Sequence, residues 1–204
     1  MRRLFGDRLQ FDWKIVTVTV VSTLLLIVDA YHGLTPMKPA DRLILYLVIP
    51  LIVILLVFRE NPRLYGLTVG DWRAGVLLTV CAIILVTPVL WFLARGGSMK
   101  SYYGGQLAGL PWSTLLELVG WEFFFRGFIL FAYARRFGPD ALWLQAVPFA
   151  LAHIGKPEIE TLTTIFGGFA FGWLAYRTRS IVYPFFLHWY IATFAILVAS
   201  GAMG

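Results

Sequence analysis

Long apolar runs, broken at intervals by short segments carrying arginine, lysine, proline and glycine, organise this chain. A helix needs about 17–25 apolar residues to cross a hydrocarbon core of ~30 Å. Runs of that kind fall at Ile15–Tyr31, Arg42–Phe58, Gly75–Ala94, Trp112–Ala134, Thr161–Tyr176 and Ile181–Ser200, with a shorter one at Asp140–His153. The pattern predicts an all-α fold, a polytopic transmembrane helix bundle of about seven spans. The short fifth run is expected to tilt or to end inside the protein, where a broken helix is tolerated if it lines a cavity. The first run follows Arg2, Arg3, Arg8 and Lys14 as a signal peptide would. It is long, however, and no small-x-small cleavage site follows, so it reads as a retained anchor. Without an internal repeat, residues 1–204 are expected to form a single integral membrane domain.

Composition agrees with this reading. The chain is 59% hydrophobic and 14% charged, with a mean hydropathy of +0.77, against about 25% charged residues in a soluble domain. A net charge of +6 would suggest a nucleic-acid partner in a soluble chain. Here the basic residues sit between apolar runs, where they set topology, so the expected partner is the lipid bilayer and no nucleic-acid role is assigned. With the N-terminus cytoplasmic, Arg2, Arg3, Arg8, Lys14, Arg59, Arg63, Arg73, Arg135, Arg136, Arg177 and Arg179 fall inside, and Lys38, Arg42, Arg95, Lys100 and Lys156 outside. That asymmetry predicts a multi-pass cell-membrane protein with its C-terminus external. Arg59–Arg73 then reads as a cytoplasmic connection, and the glycine-rich stretch Gly96–Gly109 as a flexible external loop. Cys81 lies alone in an apolar run, which excludes a disulfide framework or thiolate metal site. Most tryptophans and tyrosines fall near span ends, as interfacial belts do, but Trp121 is deep.

Three polar clusters interrupt the second half: Glu122 with Arg126 in GWEFFFRGF, His153 in FALAHIGKPEIE, and His188 in YPFFLHWYIA. Ionisable side chains at bilayer depth are costly, turn inward, and mark functional sites. Glu122 and Arg126 are four apart, so they share a helix face with the acid N-terminal to the base. The pair is either a structural ion pair or the means of keeping a carboxylate ionised as a general base. A lone histidine in an apolar helix is ordinarily a packing residue, and His32, with Asp29 nearby, is left in that class. Two deeper histidines beside a carboxylate suggest proton transfer and oxyanion stabilisation instead. Two histidines and a carboxylate also suit zinc, but no close-spaced ligand pair such as HExxH is present and Arg126 sets a cation beside the acid. No metal or other cofactor is expected. Gly168-x-x-x-Gly172, reinforced by Gly167, reads as a close helix-packing face, and Phe123–Phe125 as an apolar wall that excludes bulk water.

Glu-x-x-x-Arg-Gly at Glu122–Gly127, Phe-x-x-x-His at Phe149–His153, and a histidine after Arg-Thr-x-Ser-x-x-x-Pro at Arg177–His188 resemble, in order and spacing, the three motifs of the CAAX protease and bacteriocin-processing (CPBP, or Abi) family of intramembrane endopeptidases. Tyr65-Gly66-Leu67 to Gly70-Asp71-Trp72-Arg73 is similar to a segment preceding that family's core, so the resemblance covers roughly 64–195. It implies that a glutamate and a histidine activate water while the last histidine and a nearby asparagine assist at the oxyanion. The substrate it implies is a protein or peptide in the membrane, and a catalytic set of Glu122, His153 and His188. Arg126 and Trp121 are expected to position the site.

Two positions depart from the pattern. The first motif usually opens with two adjacent glutamates, and the first of these positions is Trp121; the usual asparagine four after the last histidine is Ala192. Either Glu122 is itself the base, or another acid substitutes, or the enzyme is inactive. Glu160, seven residues beyond His153, is the best substitute; Glu117, five before Glu122, points away by about 140° on a helix. The Trp-Glu opening with Gly-Lys-Pro resembles the myxosortase-like branch, which implies C-terminal processing or sorting. The expectation is an intramembrane endopeptidase of the glutamate/histidine type. The alternatives are an inactive relative acting as a membrane scaffold or immunity protein, and a small transporter, whose usual paired repeats are absent here.

Overall fold

The computed structural model describes residues 9–203; Arg2, Arg3 and Arg8, counted above for topology, lie outside the described residues. Among those described the chain is helical without strands. In order, the helices are α1 (Trp13–Tyr31), α2 (Lys38–Phe58), α3 (Trp72–Leu93), α4 (Gly97–Tyr103), α5 (112–137), α6 (Ala141–Leu151), α7 (Glu158–Thr178) and α8 (Val182–Ala199). Each expected apolar run falls on a helix. Four helices, α1, α2, α3 and α8, are long and apolar enough to cross a membrane. The remaining long ones carry the charges of the polar clusters, and α6 has only 11 residues. Helix α3 leaves one long face exposed, with Leu77, Ile84, Leu85 and Phe92 all uncovered. Cys81 is exposed on the same helix. Apolar faces of that extent belong against lipid.

One expectation is corrected. Gly96–Gly109 is not a loop throughout: α4 forms within it, because Met99 and Tyr103, four apart, make one apolar face. Both are buried against Ala195, Ile196 and Ala199 of α8. Span limits also shift, α2 starting at Lys38 rather than Arg42 and α7 running from Glu158 to Thr178. His32 is exposed at the end of α1. Asp29 turns to Lys38, Tyr46 and Arg42 instead.

The core that holds the site is a run of aromatic side chains on α5, Phe123, Phe124, Phe125 and Phe128, all fully buried. Over Phe123–Ile129 the hydrogen-bond ladder of α5 widens to π-helical geometry, which inserts an extra residue per turn and is frequent at functional sites. Around it, α2 packs on the start of α5, α1 on its π-helical stretch, α6 on α7, and α8 on α3, α5 and α7.

At one end of the bundle, Glu60 accepts from Lys14 at 2.6 Å, Tyr65 at 2.6 Å and Arg135 at 2.7 Å. Burial acts to raise its carboxyl, but these partners hold it down at about 2. The segment after Tyr65 is joined to the turn before α8. Ile181 N–H donates to the Gly66 carbonyl at 3.1 Å and Asp71 N–H to the Thr178 carbonyl at 2.9 Å. At Gly70, φ is +57° and an added Cβ would run into the Thr178 backbone. That segment therefore sets where α8, and His188 on it, begins.

The close packing expected from the glycines holds at Gly168 and Gly172 but not at Gly167, which faces open space. A Cβ at Gly168 would stand 2.9 Å from Phe149 and 3.0 and 3.2 Å from Cβ and Cα of Ala146, whereas one at Gly167 meets nothing within 4 Å. Ala146 is backbone-fixed, so α6 must yield. Gly168→Ala is expected to cost about 1–3 kcal/mol by overpacking and to lower the melting temperature in detergent. Gly167→Ala should melt at or above the parent, because alanine favours helix. Equal melting of the two variants would mean that α6 and α7 are not in tight contact.

Candidate active site

Glu122 occupies the last turn before the π-helical stretch of α5 and is fully buried. Its Oε1 accepts from Nδ1 of His188 at 2.6 Å and lies 3.4 Å from the Arg126 guanidinium. Among the described residues the other oxygen, Oε2, has no hydrogen-bond partner, and neither do the three guanidinium nitrogens of Arg126. That guanidinium is instead laid on aromatic faces, 3.8 Å from the Phe149 ring centre and 5.1 Å from that of Phe171. An arginine suits this setting because its planar, weakly hydrated cation stacks on rings as an ammonium does not. The ion pair anticipated from the spacing thus exists, and among the described residues Glu122 is the one counter-charge at ion-pair distance from Arg126.

His188 lies flat on Phe171, with ring centres 5.0 Å apart at 24°. Its Nδ1 faces a carboxylate, which fixes the proton on Nδ1 and leaves Nε2 as a free acceptor. His153 sits in the turn after α6, and its Nδ1 donates to the Phe149 carbonyl at 2.8 Å. Both imidazoles pack on the Phe149 ring, at 4.7 and 5.9 Å between centres.

A cavity of about 180 Å³ is lined by His153, His188, Glu160, Lys156, Tyr103 and Ala192 among others. A second, of about 120 Å³, shares His153, His188, Lys156, Tyr103 and Ala192 and adds Trp121, Arg42 and Glu117. Glu122 lines neither: it stands behind His188. Glu160 faces the first cavity, with Tyr103 OH at 2.9 and 2.8 Å from its two oxygens and Lys156 Nζ at 2.9 Å.

Trp121 fills the place of the usual first glutamate. Its ring stands edge-on to His153, centres 5.6 Å apart, under the Arg42 guanidinium at 4.5 Å, and Arg42 pairs with Glu117. Glu117 is therefore tied to α2 by an ion pair, at the border of the second cavity. Among the described residues no three His, Cys, Asp or Glu side chains cluster closely enough to hold a metal ion. Sequence reasoning missed Tyr103 as a cavity residue, since it lies in a glycine-rich stretch that reads as loop. It also missed Arg42, whose only signal was its place at a span end.

Residues 103–194 match the family described as type II CAAX prenyl endopeptidase Rce1-like. Over that stretch, somewhat under half of its length, the chain is similar to the Rce1-like family. The match takes in Glu122, Arg126, His153, Glu160, His188 and Ala192, and leaves α1, α2 and α3 outside. Neither a curated protein nor a solved structure matches the chain. That similarity, beside four helices apolar enough to cross a membrane, supports a membrane location.

Proposed function

We propose that the protein is an intramembrane endopeptidase that hydrolyses a peptide bond near the C-terminus of a membrane-associated protein, working from a core of about residues 64–195. The observation that carries this reading is the 2.6 Å hydrogen bond from His188 Nδ1 to Glu122, beside a cavity shared with His153. The carboxylate orients the imidazole and stabilises its charged form, so that Nε2 takes a proton from water, the logic of an acid–histidine couple. His153 Nε2, also an acceptor, orients the same water. Glu122 acts through His188 rather than on water directly, and Arg126 and the rings of Trp121 and Phe149 hold the pair in a dry setting that strengthens it. Glu160, already engaged by Tyr103 and Lys156, belongs to the cavity wall rather than to proton transfer.

No metal takes part in this scheme. The test is cleavage of a farnesylated reporter peptide ending in Cys-aliphatic-aliphatic-X by purified protein before and after exhaustive chelation. Activity is expected to persist with substoichiometric zinc. Loss on chelation and return with a divalent ion would overturn the scheme. Trp121 and Ala192 favour a second reading, an inactive relative serving as a scaffold or immunity protein, and that reading predicts no cleavage at all.

A further inference from the structure

Adding water to an amide carbonyl places negative charge on its oxygen, and a site that speeds this step aims a donor there. The donors bordering the larger cavity can be accounted for one by one. His153 and His188 carry their ring protons on Nδ1, committed to the Phe149 carbonyl and to Glu122. Thr163 and Thr164 donate to the carbonyls of Ile159 and Glu160, both at 2.7 Å. The single hydroxyl hydrogen of Tyr103 faces Glu160. Burial and the adjacent Glu160 charge hold this phenol above its ordinary range, so it stays protonated and engaged. Lys156 differs: its ammonium has three hydrogens and gives one to Glu160. Ala192, which borders both cavities, offers only a methyl.

We propose that Lys156 is the catalytic residue that stabilises the oxyanion, with Glu160 and Tyr103 holding its ammonium in place. The inference rests on the endopeptidase reading above. As water attacks the carbonyl carbon, its proton passes to His188 Nε2 and the carbonyl π pair moves to oxygen, which accepts a hydrogen bond from Lys156 Nζ. Collapse re-forms the carbonyl and breaks the C–N bond, and His188 returns the proton to the departing amine. Lys156 keeps its three protons throughout. A part-buried donor already oriented by a carboxylate that Tyr103 anchors costs little reorganisation at the moment of reaction. Glu160 thereby has a role that does not require it to be a base.

The test uses the full chain in detergent and the farnesylated reporter. Lys156→Met is expected to lower kcat by about 10²–10³-fold, with KM little changed and the melting temperature retained. Lys156→Cys in a Cys81→Ala background should be equally impaired, and aminoethylation of that thiol, which restores an ammonium at nearly the same reach, should recover activity. A purely structural lysine would not be rescued in an already folded protein. Wild-type kcat in Lys156→Met, or no recovery after complete aminoethylation, overturns the proposal while leaving the His188–Glu122 scheme standing. A wild-type protein that does not cleave the reporter overturns the endopeptidase reading and this proposal with it.

Discussion

His188→Ala is expected to lower cleavage by about 10²–10⁴-fold, the scale of a lost general base, in a protein that still folds, whereas Glu122→Ala should lose activity and stability together. The difference follows from burial. Glu122 is the counter-charge of an Arg126 guanidinium that makes no hydrogen bond and is sealed from solvent. Removing one member of a buried pair leaves an uncompensated charge and costs about 3–5 kcal/mol. The double variant Glu122→Gln with Arg126→Met separates the two roles. It removes both charges at similar volume, so its melting temperature should return towards that of the parent. Its activity should stay low, since a glutamine cannot stabilise the imidazolium of His188. His153→Ala should also lose at least about 10²-fold without a matching loss of stability, because it frees only the Phe149 carbonyl beside a cavity that can admit water. The measurements are kcat on the reporter and thermal unfolding in detergent for each variant. Near-parental activity in a well-folded His188→Ala protein would remove His188 from the mechanism, and full activity in the double variant would reduce Glu122 to a structural ion.

The same buried pair shows what the sequence made legible. Apolar runs of membrane length can satisfy their backbone only as helices, so the all-α bundle follows from hydropathy alone. Spacing of four between Glu122 and Arg126 placed them on one face, and small residues at Gly168 and Gly172 marked a close helix contact without naming α6 as the partner. Those are local signals. What spacing could not carry was how helices far apart in sequence meet. Nothing in the run around Glu122 says that His188, sixty-six residues on, would take its oxygen and leave the carboxylate behind the imidazole instead of facing water. The Arg126 cation was legible as a partner for Glu122, but its seat on Phe149 and Phe171 depends on α6 and α7 crossing at Gly168. Tyr103 was hidden for a different reason. Glycines flanking a seven-residue helix argue for a loop, and only packing against α8 makes that helix worth forming, a tertiary contact overriding local propensity. Glu160 was legible as an acid near His153, but its capture by Tyr103 and Lys156 was not, because Tyr103 comes from that unrecognised helix.

The opening of the cavity makes the orientation of the bundle a functional question, and thiol labelling answers it with an all-or-none result. The larger cavity lies towards the end of the bundle that carries α4, Lys156 and Glu160. The opposite end carries the Lys14–Glu60–Arg135 cluster and the Asp71–Arg177 pair. Basic residues accumulate at that second end, and arginine- and lysine-rich segments remain cytoplasmic. We therefore expect the N-terminus inside, the C-terminus outside, and the cavity open to the outer half of the membrane, where a substrate helix arriving from lipid would present its external flank. In a Cys81→Ala background, Lys100→Cys on α4 should react with a membrane-impermeant thiol reagent in intact cells, and Arg136→Cys at the end of α5 only after lysis. Both parent side chains are exposed, and neither belongs to the proposed machinery, so labelling reports sidedness rather than unfolding. The reverse pattern would put the cavity on the cytoplasmic side, and the substrates would then be proteins whose C-terminal cysteine is lipidated in the cytoplasm, reached from the inner leaflet with no need for an external flank.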